Sequence, residues 1–268
     1  MSRPRIVRTR DGHVAVERFR LGRRLEHLLM IASFTTLLLT GFPQKFADGS
    51  ISHWIVSLFG GLENMRLVHR VAGVVFALHA VVHLAIIALG GLTGRMRMTM
   101  MPTIQDARDL WQNLRFYLGR RAEPPKLPVF DYRQKFEYLG MVLGGLLMIA
   151  SGLVLMFPVQ VGQFVSGEVV LALRAAHSFE AVLAFVVLLI WHVYGAVLSP
   201  DVFPLDKSMF TGFMSAHHLR AHHRLEYERL FGDAPLEVVE APPSPAQLTP
   251  PGGAAGEGDR GLDRTPGA

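Results

Sequence analysis

The sequence predicts an all-α integral membrane protein: a four-helix bundle with both chain ends on the cytoplasmic side. Three observations predict it. Long apolar runs recur along the chain, basic residues fill alternate connections, and histidines recur at fixed spacings inside the runs. The 268 residues are 50% hydrophobic and only 18% charged, and the mean hydropathy is +0.29. A soluble domain carries about a quarter charged residues. A bilayer core of roughly 30 Å asks for about 20 mostly apolar residues per helix.

Leu25–Phe42 is the first run, with Glu26 and His27 as its ionisable residues. Val68–Leu89 is the second and holds Arg70 and three histidines. Leu139–Phe157 has no ionisable residue, and Ala175–Leu198 has Glu180 and two histidines. Burying four such runs in a soluble fold is not feasible. Residues 1–24 read as a basic cytoplasmic arm with no apolar leader, so the first helix is expected to remain as an anchor. Residues 25–198 form the membrane domain, 199–232 a cytoplasmic extension, and 233–268 a Pro/Gly-rich tail of disordered composition. Within the connections, Ile51–Leu58 reads as a short interfacial helix in a first outer loop, and Ile104–Tyr117 has helical periodicity. Residues 158–174 read as the second outer loop.

The net charge of +5 is unevenly placed. Arg18, Arg20, Arg23 and Arg24 precede the first helix, Arg108, Arg115, Arg120 and Arg121 lie between the second and third, and Lys207, Arg220 and Arg224 follow the fourth. The other two connections are nearly neutral. By the positive-inside rule the protein is multi-pass in the inner (cytoplasmic) membrane, with lipid, and no nucleic acid, facing its basic flanks. Cysteine is absent, which excludes thiolate iron–sulfur ligation, C-x-x-C-H haem attachment and disulfides. Any such centre belongs to a partner. No nucleotide fingerprint or nucleophile constellation occurs, so the chain reads as less than a complete enzyme.

Ionisable residues inside a bilayer are costly and mark function. His69 and His83 are fourteen residues apart, within about 40° of one helical face and roughly 21 Å along the axis. His177 and His192 are fifteen apart, within about 60° and roughly 22 Å. The second and fourth helices run the same way, so His69 matches His177 in depth near the outer side and His83 matches His192 near the inner side. His27 also lies at the inner level. Two neutral imidazoles on facing helices clamp one haem iron, and two levels give two haem b groups stacked across the bilayer. A zinc site would collect its ligands at one level. His79 falls between levels and reads as a bundle or propionate contact. Arg66, Arg70 and Arg174 lie near the outer histidines as candidate propionate partners. His217, His218, His222 and His223 read as part of a basic amphipathic helix.

These residues resemble the membrane cytochrome b subunits of respiratory formate dehydrogenases, thiosulfate reductases and nickel–iron hydrogenases. The resemblance runs from about Arg18 to Arg229. It rests on Arg24-x-x-His27 with Thr40-Gly41, Arg66-x-x-His69-Arg70, Gln134-Lys135-Phe136-Glu137-Tyr138, His177-x-x-Glu180-Ala181 and Trp191-His192-x-Tyr194. It implies an outer haem on His69 and His177 and an inner haem on His27 and His192. His83 sits where a bc-type cytochrome b has a second ligand on this helix, so His27 and His83 compete for the inner iron. The resemblance further implies electron exchange with a membrane quinone, menaquinone or ubiquinone, near the inner haem. Glu137 is the candidate proton-handling carboxylate there, with His27 or His83 assisting. The implied partner is a catalytic, iron–sulfur or multihaem cytochrome c redox subunit, the chain being the quinone-reactive subunit of an oxidoreductase complex. The competing readings are a haem-free anchor and a transporter-like protein with bundle histidines.

Overall fold

The computed structural model describes residues 4–9, 11–96 and 98–240. Among them four helices are long and apolar enough to cross a membrane: α1 (Leu21–Lys45), α3 (Leu62–Leu92), α5 (Tyr132–Met156) and α7 (Gly167–Val187), which continues as a π-helix over Leu188–Leu198. The shortest, at 25 residues, spans about 38 Å at 1.5 Å per residue, more than the hydrocarbon core. Leu28, Leu39, Val71, Leu78, Leu143 and Leu183 on these helices are exposed to the surroundings. That is the pattern of a bundle solvated by lipid, and it agrees with the expected membrane protein.

The helices associate as two pairs. α1 packs along α3, and α5 along α7, while contacts between the pairs are sparse. The inward stripe of α3 reads Met65, His69, Ala72, Phe76, His79 and His83, at alternating spacings of four and three. This periodicity keeps one side chain per turn on a single seam. Met65, Ala72, Phe76 and His79 on it are buried. Small residues allow close approach: between the pairs the ring of Phe76 lies over Gly145, and within the second pair the carboxylate of Glu180 lies over Gly144.

Between the first pair lies α2 (Ser50–Leu58), the expected short helix. α4 (Ile104–Tyr117) forms over the residues its periodicity predicts. Its first turn is closed by Asp106, whose Oδ2 accepts from the Thr103 amide at 2.6 Å. Asp106 also accepts from the buried Lys135 ammonium at 2.8 Å and thereby ties α4 to α5. Asp131 caps α5, accepting from the amides of Arg133 and Gln134. A cap of this kind contributes about 1 kcal/mol.

Two expectations are corrected here. The chain is not wholly α-helical: β1 (Ile6–Arg8), β2 (Val14–Glu17) and β3 (Phe213–Ser215) form an antiparallel sheet in the order β1-β2-β3. Val16 pairs with Ile6 on one side and Met214 on the other. The hairpin turns through Gly12, whose φ of +83° suits glycine. The second outer loop is also shorter than 158–174. Pro158–Val161 is a single helical turn, α6, and α7 already begins at Gly167, with Glu168 favourably placed at its positive end.

The sheet binds the basic arm to the segment after the fourth helix. Here α8 (Ser208–Thr211), α9 (Ala216–His222), α10 (Arg224–Phe231) and α11 (Leu236–Glu240) follow. Val14, Val16, Met214, Ala216, Leu219 and Tyr227 make its core, with Phe231, Leu236 and Val239 against it. The tail therefore starts later than 233. Tyr227 donates to Ala234 O and Arg8 to Glu240 O, while residues 241–268 lie outside the described residues. α9 and α10 bury Leu219 and Tyr227 in this core, which a free amphipathic helix would not do. The loop between α4 and α5 joins in, since His223 Nδ1 donates to Pro128 O at 2.8 Å.

His223 makes this unit acid-sensitive. Burial first, and the charge of Arg18 second, push its pKa from 6.5 down to about 4. The folded unit thus holds a neutral ring where the unfolded chain would take up a proton. Its contribution is complete above pH 6.5 and is lost as pH falls towards 4, a change of about 3 kcal/mol. Hydrogen exchange of β2, β3 and α9 is expected to accelerate across that interval, and His223→Gln to flatten the response. Equal pH dependence in both proteins would count against it.

Candidate functional site

The bundle has two polar levels. The sheet end carries His27 and Glu26 on α1, His83 on α3, Glu137 and Tyr138 on α5, and His192 in the π-helical stretch. The far end carries His69 on α3 and His177 on α7.

At the sheet end the rings of His27 and His192 face each other, with centroids 6.1 Å apart and planes inclined by 47°. Two metal–imidazole bonds of about 2 Å, plus roughly 1 Å from each nitrogen to its ring centre, separate two axial ligands by ~6 Å. The pair is spaced as two imidazoles that would share one metal ion between α1 and the π-helical stretch. His27 Nδ1 is buried without a hydrogen-bond partner. His192 Nδ1 is 2.8 Å from Glu137 Oε1, a close ion-pair distance without hydrogen-bond alignment.

His83 is placed differently. Its Nδ1 lies 2.9 Å from Glu26 Oε2, and its Nε2 lies 3.2 Å from the Tyr138 hydroxyl. A carboxylate accepts only, so Nδ1 carries the hydrogen and Nε2 accepts from Tyr138. Arg23 completes the cluster, donating to Glu26 at 2.7 Å. Both ring nitrogens of His83 are thus occupied by α1 and α5. One turn away, His79 is buried with neither nitrogen partnered, its ring 6.1 Å from that of His83.

The far end holds His69 on α3 and His177 on α7, each with its own hydroxyl neighbour. Thr40 Oγ1 lies 2.8 Å from His69 Nδ1, and Ser151 Oγ lies 2.9 Å from His177 Nδ1. Lys45 donates to Ser178 at 3.0 Å and sits 3.8 Å above the Phe179 ring, fastening α1 to α7 beside His177. Arg66 is engaged with Glu63 at 2.8 Å.

The structure thus sets His27 against His192 at the sheet end, places His69 and His177 at the far end, and holds His83 in a separate polar cluster. Glu137 lies at the sheet end beside His192. The neighbouring cations are engaged elsewhere, Lys135 with Asp106 and Arg133 with Asp131. Sequence reasoning missed the contacts of Glu26, Tyr138 and Lys45. Among the described residues no group of three or more histidines, cysteines and carboxylates is arranged to hold a metal ion, the His-rich α9 included.

The unpartnered Nδ1 of His27, the 6.1 Å ring separation and the sparse seam between helix pairs all suit a flat, iron-centred group held between helices. No curated protein matches the chain. The family model described as prokaryotic cytochrome b561 matches residues 18–212, from the end of β2 through all four membrane helices to the turn after α8. The match agrees with the resemblance read from the sequence and carries haem b and electron transfer in the membrane. The chain belongs to the prokaryotic cytochrome b561 family.

Proposed function

We propose that this protein is a di-haem cytochrome b subunit that carries electrons across the inner membrane between a quinone pool and a partner redox protein of a respiratory complex. The observation that carries the proposal is the presence of two histidine pairs at two depths. His69 and His177 hold the outer haem, and His27 and His192 the inner one. His83 stays in its cluster with Glu26, Arg23 and Tyr138. The haems supply one-electron transfer across the low-dielectric core.

The protein's own residues do the rest. The two helix pairs keep water from the electron path. Glu137, about one-fifth exposed beside His192, is the carboxylate that exchanges protons with a quinone or quinol, two for every two electrons. Sidedness follows from charge. The basic arm, the central loop and the segment after α7 meet at one end, and that end faces the cytoplasm by the positive-inside rule. The partner supplies the iron–sulfur, multihaem or catalytic centre that a chain without cysteine lacks.

The test is a reduced-minus-oxidised absorption spectrum of the purified protein in detergent, with haem quantified per chain. The expected result is b-type bands and two haems per chain. A well-folded preparation that binds no haem would overturn the proposal and leave the anchor reading.

A further inference from the structure

The two far-end histidines sit in seats built the same way. Thr40 and Ser151 are fully buried. Each hydroxyl donates its single hydrogen to the carbonyl one turn back, Thr40 to Thr36 O at 2.7 Å and Ser151 to Leu147 O at 2.6 Å. A hydroxyl whose hydrogen is so committed meets a ring nitrogen as an acceptor. Nδ1 of His69 and Nδ1 of His177 must therefore carry the hydrogen, which leaves Nε2 of each as the lone-pair nitrogen. The carbonyls of Leu37 and Met148, each three residues before the hydroxyl, accept from the same imidazoles. The next residue in each helix is glycine. A methyl group on Gly41 would lie 3.2 Å from His69 Cε1, and one on Gly152 would lie 3.3 Å from His177 Cε1. Both rings thus rest against bare backbone. The sheet-end histidines have no such seat: His27 Nδ1 is unpartnered and His192 Nδ1 meets a carboxylate.

We infer that Thr40-Gly41 and Ser151-Gly152 are duplicated positioning seats which fix the Nδ1–H tautomer of His69 and His177 and set the reduction potential of the outer haem apart from that of the inner. The inference rests on the haem reading above. A hydrogen bond accepted from Nδ1–H raises the basicity of the opposite nitrogen, and a more basic ligand favours ferric over ferrous iron. The seats therefore hold the outer potential down.

The test is a spectroelectrochemical titration of the full-length protein in detergent. The double variant Thr40→Val/Ser151→Ala removes both hydroxyl acceptors while nearly keeping their volumes, and leaves the carbonyls of Leu37 and Met148 as the remaining acceptors. Its outer haem is expected to shift about tenfold towards the ferrous form, the low end of the effect of removing such a partner, or about 59 mV upward for a one-electron couple. The inner potential is expected to stay put. The pair Thr40→Ser/Ser151→Thr, which keeps both hydroxyls, is expected to titrate as the wild type. If the double variant loses the outer haem while the hydroxyl-keeping pair retains it, the inference also stands. Two overturning outcomes exist: an unchanged outer potential in a double variant that keeps both haems, or equal haem loss in both pairs of variants. A wild-type protein without haem would instead defeat the functional proposal, and the first spectrum reveals that before any variant is made.

Discussion

Replacing His27 with alanine is expected to halve the haem content of the purified protein, whereas replacing His83 leaves it at two per chain. The two histidines look equivalent by helical spacing, and their surroundings separate them. The His27 ring stands 6.1 Å from that of His192, at axial-ligand distance, with a buried Nδ1 that nothing else occupies. To bind iron through Nε2, His83 would have to give up Tyr138 at 3.2 Å, while its Nδ1 could stay on Glu26 at 2.9 Å. Breaking that one hydrogen bond costs about 1 kcal/mol, so the assignment rests chiefly on the placement of His27 against His192. Pyridine haemochrome quantification of the two variants, with folding checked by size exclusion, reads the outcome. His192→Ala should match His27→Ala, and His69→Ala or His177→Ala should each remove the other haem. If His83→Ala halves the haem and His27→Ala does not, the assignment reverses.

Glu137→Gln is expected to slow quinol-driven haem reduction by about 10² or more, the usual contribution of a positioned acid or base, while both haems remain reducible by dithionite. Glutamine keeps the size and polarity of the side chain but cannot carry the proton. Because Glu137 Oε1 is 2.8 Å from His192 Nδ1, the substitution also touches a residue proposed to hold the inner haem, and the inner potential must be measured beside the rate. A potential shift that accounts for the whole loss in rate would assign Glu137 to holding His192 and not to proton exchange. Stopped-flow reduction with a soluble quinol analogue supplies the rate.

The four membrane helices were legible because each holds a run of apolar residues that no soluble arrangement buries easily. α4 was legible because its polar and apolar residues repeat at helical intervals. The sheet was not, for a physical reason. Strands of three and four residues carry no measurable period, and β2 finds β3 nearly two hundred residues away. The early start of α7 escaped because Glu168 and Arg174 interrupt hydropathy without interrupting the helix. At the site, depth could be counted from sequence but rotation could not. Counting put His27, His83 and His192 at one level. Which ring meets which depends on how α1, α3 and α7 turn about their axes. The π-helix around His192 changes that rotation, since a wider turn advances less per residue than the about 100° of an α-helix. The role of Thr40 and Ser151 emerged only with their distances to the two rings.

The uneven contact between helices bears on how the protein is made. α1 with α3, and α5 with α7, are each a hairpin that can enter the bilayer and close on itself, the first stage of helical membrane-protein assembly. Little side-chain packing is left to draw one hairpin to the other. Both histidine pairs straddle that division, His27 and His69 on the first hairpin, His177 and His192 on the second. In the proposed reading cofactor delivery is then the closing step of biogenesis. A cell starved of haem would accumulate two inserted but loosely latched hairpins, held by the sheet, the α4 connection and the few side-chain contacts between them, and open to membrane proteases.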